Sequence, residues 1–167
     1  ALSETAIDLL INNAGVFGPK VHAERDPRQS IGSIDEEIIA KVMRVNAIAP
    51  LVVAQAFTEH VARSRGRKMI AISSTLGSIA ETSGGHYAYR MSKTALNMAM
   101  ATLARDLFPR RIGVYVFCPG WVRTEMGGPT APQTVQESVA GLRLLIEQDP
   151  TLGAATFQLF DGTPLPW

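Results

Sequence analysis

The sequence predicts an α/β domain built on a doubly wound parallel sheet, with about four strands in this chain. Three observations carry that prediction. Short apolar runs alternate with long helical stretches along the whole chain. The runs are compact and stop at small or turn-forming residues, as buried parallel strands do when helices cover both faces. The segments that follow three of them, beginning at Asn12, Ser73 and Pro119, are all polar or glycine-rich.

In chain order, Ala6 to Ile11 (AIDLLI) reads as a strand ending in Asn12-Asn13-Ala14-Gly15. A helix is expected from about Asp35 to Arg63, with Ser33 as N-cap and Glu36 or Glu37 in its first turn. Met69 to Ile72 is the next strand and ends in Ser73-Ser74. A second helix runs from about Ala88 to Leu107, where Pro109 stops it. Ile112 to Phe117 (IGVYVF) is a strand ending in Cys118-Pro119-Gly120. A third helix is expected from about Thr134 to Gln148, before Asp149-Pro150, and Thr156 to Phe160 is a weaker last strand. Repeated βαβ units make the sheet parallel, and with no internal repeat or linker residues 1–167 read as one domain or part of one.

Composition narrows the function classes. Hydrophobic residues at 46% and charged residues at 19% exclude a disordered or low-complexity chain. A net charge of +1 provides no field to recruit nucleic acid or an anionic membrane. A single cysteine, Cys118, excludes an internal disulfide framework. No apolar run is long enough to span a bilayer and no signal-peptide pattern opens the chain, so a cytoplasmic protein is expected. The first residue is Ala1 and an apolar run follows within ten residues, so the chain is expected to begin inside a larger protein.

In an open parallel sheet the ligand crevice lies beyond the carboxyl ends of the strands. That directs attention to Asn12–Gly15, Ser73–Gly77 and Pro119–Thr124. Tyr89 and Lys93 then stand out, because residues four apart on a helix share a face. A phenol alone ionises near pH 10, and a neighbouring ammonium is expected to lower that value toward the working range. Ser74, at the end of a strand, can donate to the oxygen of a carbonyl or alcohol. Such a trio suits proton transfer in carbonyl/alcohol interconversion. No Gly-x-Ser-x-Gly elbow is present to indicate a serine hydrolase.

Asn46 has a local rationale as well. Pro50 lies four residues on, inside the first helix, and has no N–H for the Asn46 carbonyl, so the helix should kink there. The freed carbonyl would hold a water next to Lys93 and give the catalytic proton a route to solvent.

NNAG at Asn12 to Gly15, Asn46 in a long helix, Ser73-Ser74, Tyr89-x-x-x-Lys93 and Pro119-Gly120 together resemble the short-chain dehydrogenases/reductases. The stretch GSIAETSGGHYAYRMSKTALNMA and the ending DGTPLPW resemble the C-factor and sniffer carbonyl-reductase branch. The resemblance implies a Rossmann-type fold, NAD or NADP as cofactor and a small carbonyl or alcohol as substrate. It makes Tyr89 the general acid/base and Lys93 its partner, both also touching the cofactor at the nicotinamide ribose. Ser74 would polarise the carbonyl and Asn46 would complete the tetrad. Asn13, Ala14 and Gly15 would line the adenosine side, and Pro119, Gly120, Val122 and Thr124 the nicotinamide end, with the Thr124 hydroxyl reaching the carboxamide. The loop from Glu125 to Pro132 would be the substrate lid.

Departures from the family pattern set further expectations. Its glycine-rich turn, TGxxxGxG, does not precede Asn12, and the residue that selects NAD over NADP is absent with it. This chain is accordingly expected to be the C-terminal two-thirds of such a domain, with Ala6 to Ile11 left as an apolar edge. The gap from Ser74 to Tyr89 is longer than the family's usual one. Tyr87 stands at the usual distance, but its i+4 residue is Met91, so Tyr89 keeps the assignment and Ser73 is the alternative to Ser74. A second reading, also from the resemblance, is a signalling fragment or interaction module with relict catalytic residues.

Other residues read more plainly. His22, His60 and His86 lack metal-ligand spacing. Cys118 reads as a small buried hydrophobe. Arg63, Arg65, Arg67 and Lys68 read as helix-end cations, with Gly66 as C-cap, and not as a nucleic-acid patch. Met91, Met98 and Met100, with apolar residues on more than one helix face, point to a homodimer or homotetramer.

Overall fold

A computed structural model describes residues 4–18, 30–148 and 152–167. His22 and the expected Asp149-Pro150 helix stop lie outside the described residues. Four strands, β1 (Leu9–Asn12), β2 (Lys68–Ile72), β3 (Gly113–Cys118) and β4 (Thr156–Leu159), form one parallel sheet in the order β1-β2-β3-β4. The helices are α1 (Glu36–Met43), α2 (Ala49–Ala62), α3 (Tyr87–Asp106) and α4 (Val135–Ile146).

The period of two along the strands divides the core. Met69 and Ala71 of β2 and Val114, Val116 and Cys118 of β3 face a cluster completed by Ala54 and Val61 of α2 and Leu96, Met100 and Ala104 of α3. Ile70, Tyr115 and Phe117 face the other way, against Leu145 of α4. All six residues of β3 are buried, as a central strand with both faces covered requires. β1 carries no strand on its outer side among the described residues, and Ile11 is 44% exposed there.

Helix boundaries follow their caps. Asp35, not Ser33, caps α1: its carboxylate accepts from the N–H groups of Glu37 (2.9 Å) and Ile38 (3.1 Å), while Ser33 bonds back to the Ser30 carbonyl. An acceptor one residue before the helix meets its free amides, and Ser33 stands too far upstream. Thr134 and Glu137 form a reciprocal capping box at the start of α4. Gly66 is not a C-cap. It lies beyond the end of α2, and its N–H donates to the Asp8 carboxylate at 2.9 Å. A Cβ at that position would come within 2.6 Å of the Asp8 carbonyl oxygen, so the glycine serves a close approach to the chain entering β1. Lys68 serves a different helix from the one beside it: its ammonium donates to the carbonyls of Ile146 and Gln148, both at 2.6 Å, at the C-terminus of α4.

The expected first helix is interrupted. Residues Arg44–Ile48 form a π-helical segment between α1 and α2, closed by the Ala49 N–H on the Arg44 carbonyl. Pro50 follows in the first turn of α2, where its missing N–H costs least. The widened turn carries Asn46 into the interior, where it is fully buried.

The strand register aligns the three polar segments. Asn12 pairs with Ala71, and Ile72 with Phe117, so the carboxyl ends of β1, β2 and β3 finish level with one another. Residues from all three of the segments that follow those ends line one crevice. Met100 anchors α3 beneath it and is fully buried. Met100→Ala is expected to lower the unfolding free energy by about 2–5 kcal/mol, measured by urea denaturation.

Candidate active site

Tyr89 lies in the first turn of α3 and Lys93 one turn on, both buried. The approach of α3 to the turn after β2 depends on Gly77, where a Cβ would stand 2.9 Å from the Lys93 Cβ. That closeness brings Ser74 and Tyr89 to one cleft, near enough for the Ser74 hydroxyl to act on the phenol. Ser74 also caps the short turn Thr75–Gly77, accepting from the Leu76 N–H at 3.2 Å. Ser73 is turned into the core and donates to Asn97 Oδ1 at 2.6 Å. Tyr87 does not reach the cleft. The structure thus brings Ser74 and Tyr89 together and leaves both alternatives aside.

Lys93 behaves differently from the sequence expectation. Its Nζ donates to the Ile72 carbonyl at 2.8 Å and lies over the face of the Tyr89 ring, 5.6 Å from the centroid. Burial dominates both groups. It pushes the Tyr89 phenol up to about 12, against the opposing pull of the Ser74 hydroxyl. It pushes the Lys93 ammonium down to about 8. The lowered phenol expected from the Tyr-Lys spacing is therefore not found, because the ammonium is directed at a carbonyl and the phenolate would be buried.

Asn46 does not line the cleft but braces it from behind. Its Oδ1 accepts from the Val16 N–H at 2.8 Å, and its Nδ2 donates to the Val16 carbonyl (2.8 Å) and to Ser92 Oγ (2.9 Å). Ser92 in turn donates to the Tyr89 carbonyl at 2.7 Å. One buried amide thereby ties the loop after β1 to the start of α3.

The cleft has a volume of about 750 Å³, within the range of small-molecule sites. Of the expected cofactor residues, Asn13, Gly15, Pro119, Gly120, Val122 and Thr124 line it. Ala14 is exposed and is not among the lining residues. The Thr124 hydroxyl is engaged within its own turn, donating to the Val122 carbonyl (3.3 Å) and accepting from the Gly127 N–H (3.1 Å). Met126 and Gly127 place the expected lid over the cleft. Its neck is held by Arg123 N–H on the Gln133 carbonyl (2.9 Å) and Gln133 N–H on the Trp121 carbonyl (3.2 Å).

A nicotinamide dinucleotide can be tested against these groups. A Cβ at Gly15 would stand 3.5 Å from both Asn46 Oδ1 and Lys93 Nζ, narrowing the space beside the ammonium that a ribose would enter. Gly120 has φ +80° and turns the chain so that backbone groups reach the cleft. The donor set therefore fits a neutral riboside and carboxamide. No guanidinium and no second ammonium lines the cleft among the described residues, so the pyrophosphate half has no such partner here.

Sequence reading missed Phe17. Its ring stacks obliquely on Tyr89, 4.7 Å between centroids, and meets His86 edge-on at 5.1 Å. Its place directly after Asn13–Val16 was the available signal. Cys118 is buried as expected, with its thiol pushed up chiefly by that burial.

The family profile described as short chain dehydrogenase matches residues 3–134. The C-signal protein of Myxococcus xanthus is 37% identical over 162 residues, covering 96% of this chain and 93% of that protein. Among solved structures, carbonyl reductase Sniffer of D. melanogaster is 34% identical with a TM-score of 0.81. The NADPH-bound carbonyl reductase from chicken fatty liver is 30% identical with a TM-score of 0.85. The match to each covers 99% of this chain and 68% of that structure's chain.

The opposed shifts of Lys93 and Tyr89 have a measurable consequence. Lys93 falls from its ordinary 10.5 to about 8, so between those values the unfolded chain binds more protons and stability rises with pH. Tyr89 rises from 10.0 to about 12, so its contribution falls with pH above 10. Urea unfolding between pH 8 and 9.5 is expected to show the rise in wild type and its loss in Lys93→Met.

Proposed function

The chain belongs to the short-chain dehydrogenase/reductase family, whose members are NAD(P)-dependent oxidoreductases, and on that premise we propose that Tyr89, Ser74 and Lys93 reduce a small carbonyl substrate. The observation that carries this is that Ser74, Tyr89 and Lys93 line one cleft, with the Lys93 ammonium over the Tyr89 ring. Ser74 and Tyr89 hold the carbonyl oxygen between two hydroxyl donors and polarise it. Bound NADH or NADPH supplies the hydride that forms the new C–H bond. Tyr89 gives its proton to the oxygen, so the carbonyl gains a hydride and a proton and becomes an alcohol. Burial, which pushes the phenol up to about 12, keeps that proton on Tyr89 at neutral pH, where it can be donated. Lys93, brought down to about 8, can lend a proton and regain it near neutrality.

Asn46 is a positioning residue here, acting through Val16 and Ser92. Pro119, Gly120 and Val122 would hold the nicotinamide end, with Gly15 leaving room for the ribose beside Lys93. A non-catalytic signalling module is not favoured, because the family profile and the carbonyl reductase structures that the chain resembles go with catalysis.

We place the protein in the cytoplasm; no helix among the described residues is long and apolar enough to cross a membrane. Leu51, Val52 and Met98 are 40%, 58% and 68% exposed on α2 and α3, which supports assembly as a homodimer or homotetramer through those helices. In light scattering, Val52→Glu combined with Met98→Glu is expected to shift the protein to monomer; an unchanged mass would remove this face from the interface.

Tyr89→Phe in the intact gene product is expected to lower kcat for carbonyl reduction by about 10²–10⁴-fold with an unchanged circular dichroism spectrum. Retained turnover, followed as NAD(P)H absorbance, would take Tyr89 out of the chemistry.

A further inference from the structure

The part of the cleft nearest Tyr89 is walled by apolar side chains. Phe17 lies against the Tyr89 ring, and Leu76 follows the Ser74 turn. Trp121 and Met126 line the same cavity while remaining 56% and 43% exposed. This wall is built, not incidental. The Trp121 indole N–H donates to the Gly127 carbonyl at 2.7 Å, and a Cβ on Gly127 would collide with the Val122 carbonyl, so the loop can fold this tightly only at a glycine.

The polar groups of the cleft are mostly engaged elsewhere. Ser73 donates to Asn97, and Ser138 donates to the Pro119 carbonyl at 2.7 Å. Thr124 is held within its turn and Lys93 faces the Ile72 carbonyl. No aspartate, glutamate or arginine lines the cavity among the described residues.

We propose that the substrate is an uncharged aldehyde or ketone whose carbonyl is its single polar group, with an alkyl or aryl body held by Phe17, Leu76, Trp121 and Met126. The inference rests on the reductase reading above. A carboxylate beside the carbonyl would lose water and meet no guanidinium, and the Lys93 ammonium near it already donates to the Ile72 carbonyl; sugar hydroxyls would lose water among polar groups mostly engaged elsewhere. Burial of each added methylene, by contrast, is favourable in such a wall.

The test uses the intact gene product with NADH or NADPH and a series of straight-chain aldehydes from propanal to hexanal. Wild type is expected to gain up to about fourfold in kcat/KM per methylene (~0.8 kcal/mol). Met126→Gln, of similar length but polar, is expected to flatten that slope. Ketohexoses and 2-oxo acids are expected to be at least about tenfold poorer than a matched ketone. A second readout needs no turnover: in a Trp167→Phe background, acetophenone is expected to quench Trp121 fluorescence. Reduction with a flat series, or equal use of 2-oxo acids, would overturn the apolar subsite and leave the reductase reading standing. Quenching without reduction of any carbonyl would overturn the reductase reading and leave the subsite. Neither quenching nor reduction would overturn both.

Discussion

The buried amide of Asn46 is the interaction on which the cleft depends. Both ends of that side chain are engaged, by the backbone of Val16 on one element and by Ser92 on another. Ser92 passes the connection to the Tyr89 carbonyl. The loop after β1 and the first turn of α3 have no covalent reason to stay in register. A fully buried amide with unsatisfied groups would cost about 1–3 kcal/mol, so the arrangement that satisfies them is strongly preferred. The same arrangement sets Phe17 against Tyr89 and leaves Gly15 facing Lys93. Asn46 sits in the π turn at Arg44–Ile48, a local departure from regular helix of the kind often found at functional sites.

Burial also decides the electrostatics. Tyr89 and Lys93 are close enough to influence one another, yet both shifts follow the loss of solvent, each toward its uncharged form. The phenol is kept as a proton donor. The ammonium is kept near neutrality, with a carbonyl to anchor it. This division of labour suits a site that hands a proton to a carbonyl oxygen.

Much of this was legible in one dimension because the relevant physics is local. Apolar runs stopped by small residues gave the four strands to within about three residues at their ends, and the last helix begins directly after Thr134, where the pattern places its start. The Tyr89-x-x-x-Lys93 spacing guaranteed a shared helix face, and Pro50 announced a broken helix four residues after Asn46. Local chemistry also misled in places. Ser33 is a good capping residue in the wrong position, and Gly66 resembles a C-cap while answering to Asp8 across the sheet edge.

The residue pattern by itself determined a parallel α/β sheet, the family, and the side chains that gather beyond the carboxyl ends of its strands. Periodicity, turn chemistry and motif spacing are properties of the chain, and they survive without knowledge of any distant neighbour. Tertiary structure decided which hydroxyl meets Tyr89, which way Lys93 points, and that Asn46 braces the cleft from behind. It also decided that Phe17 belongs to the site. Those outcomes depend on burial and on contacts between residues far apart in sequence, and solvent exclusion has no signature in spacing.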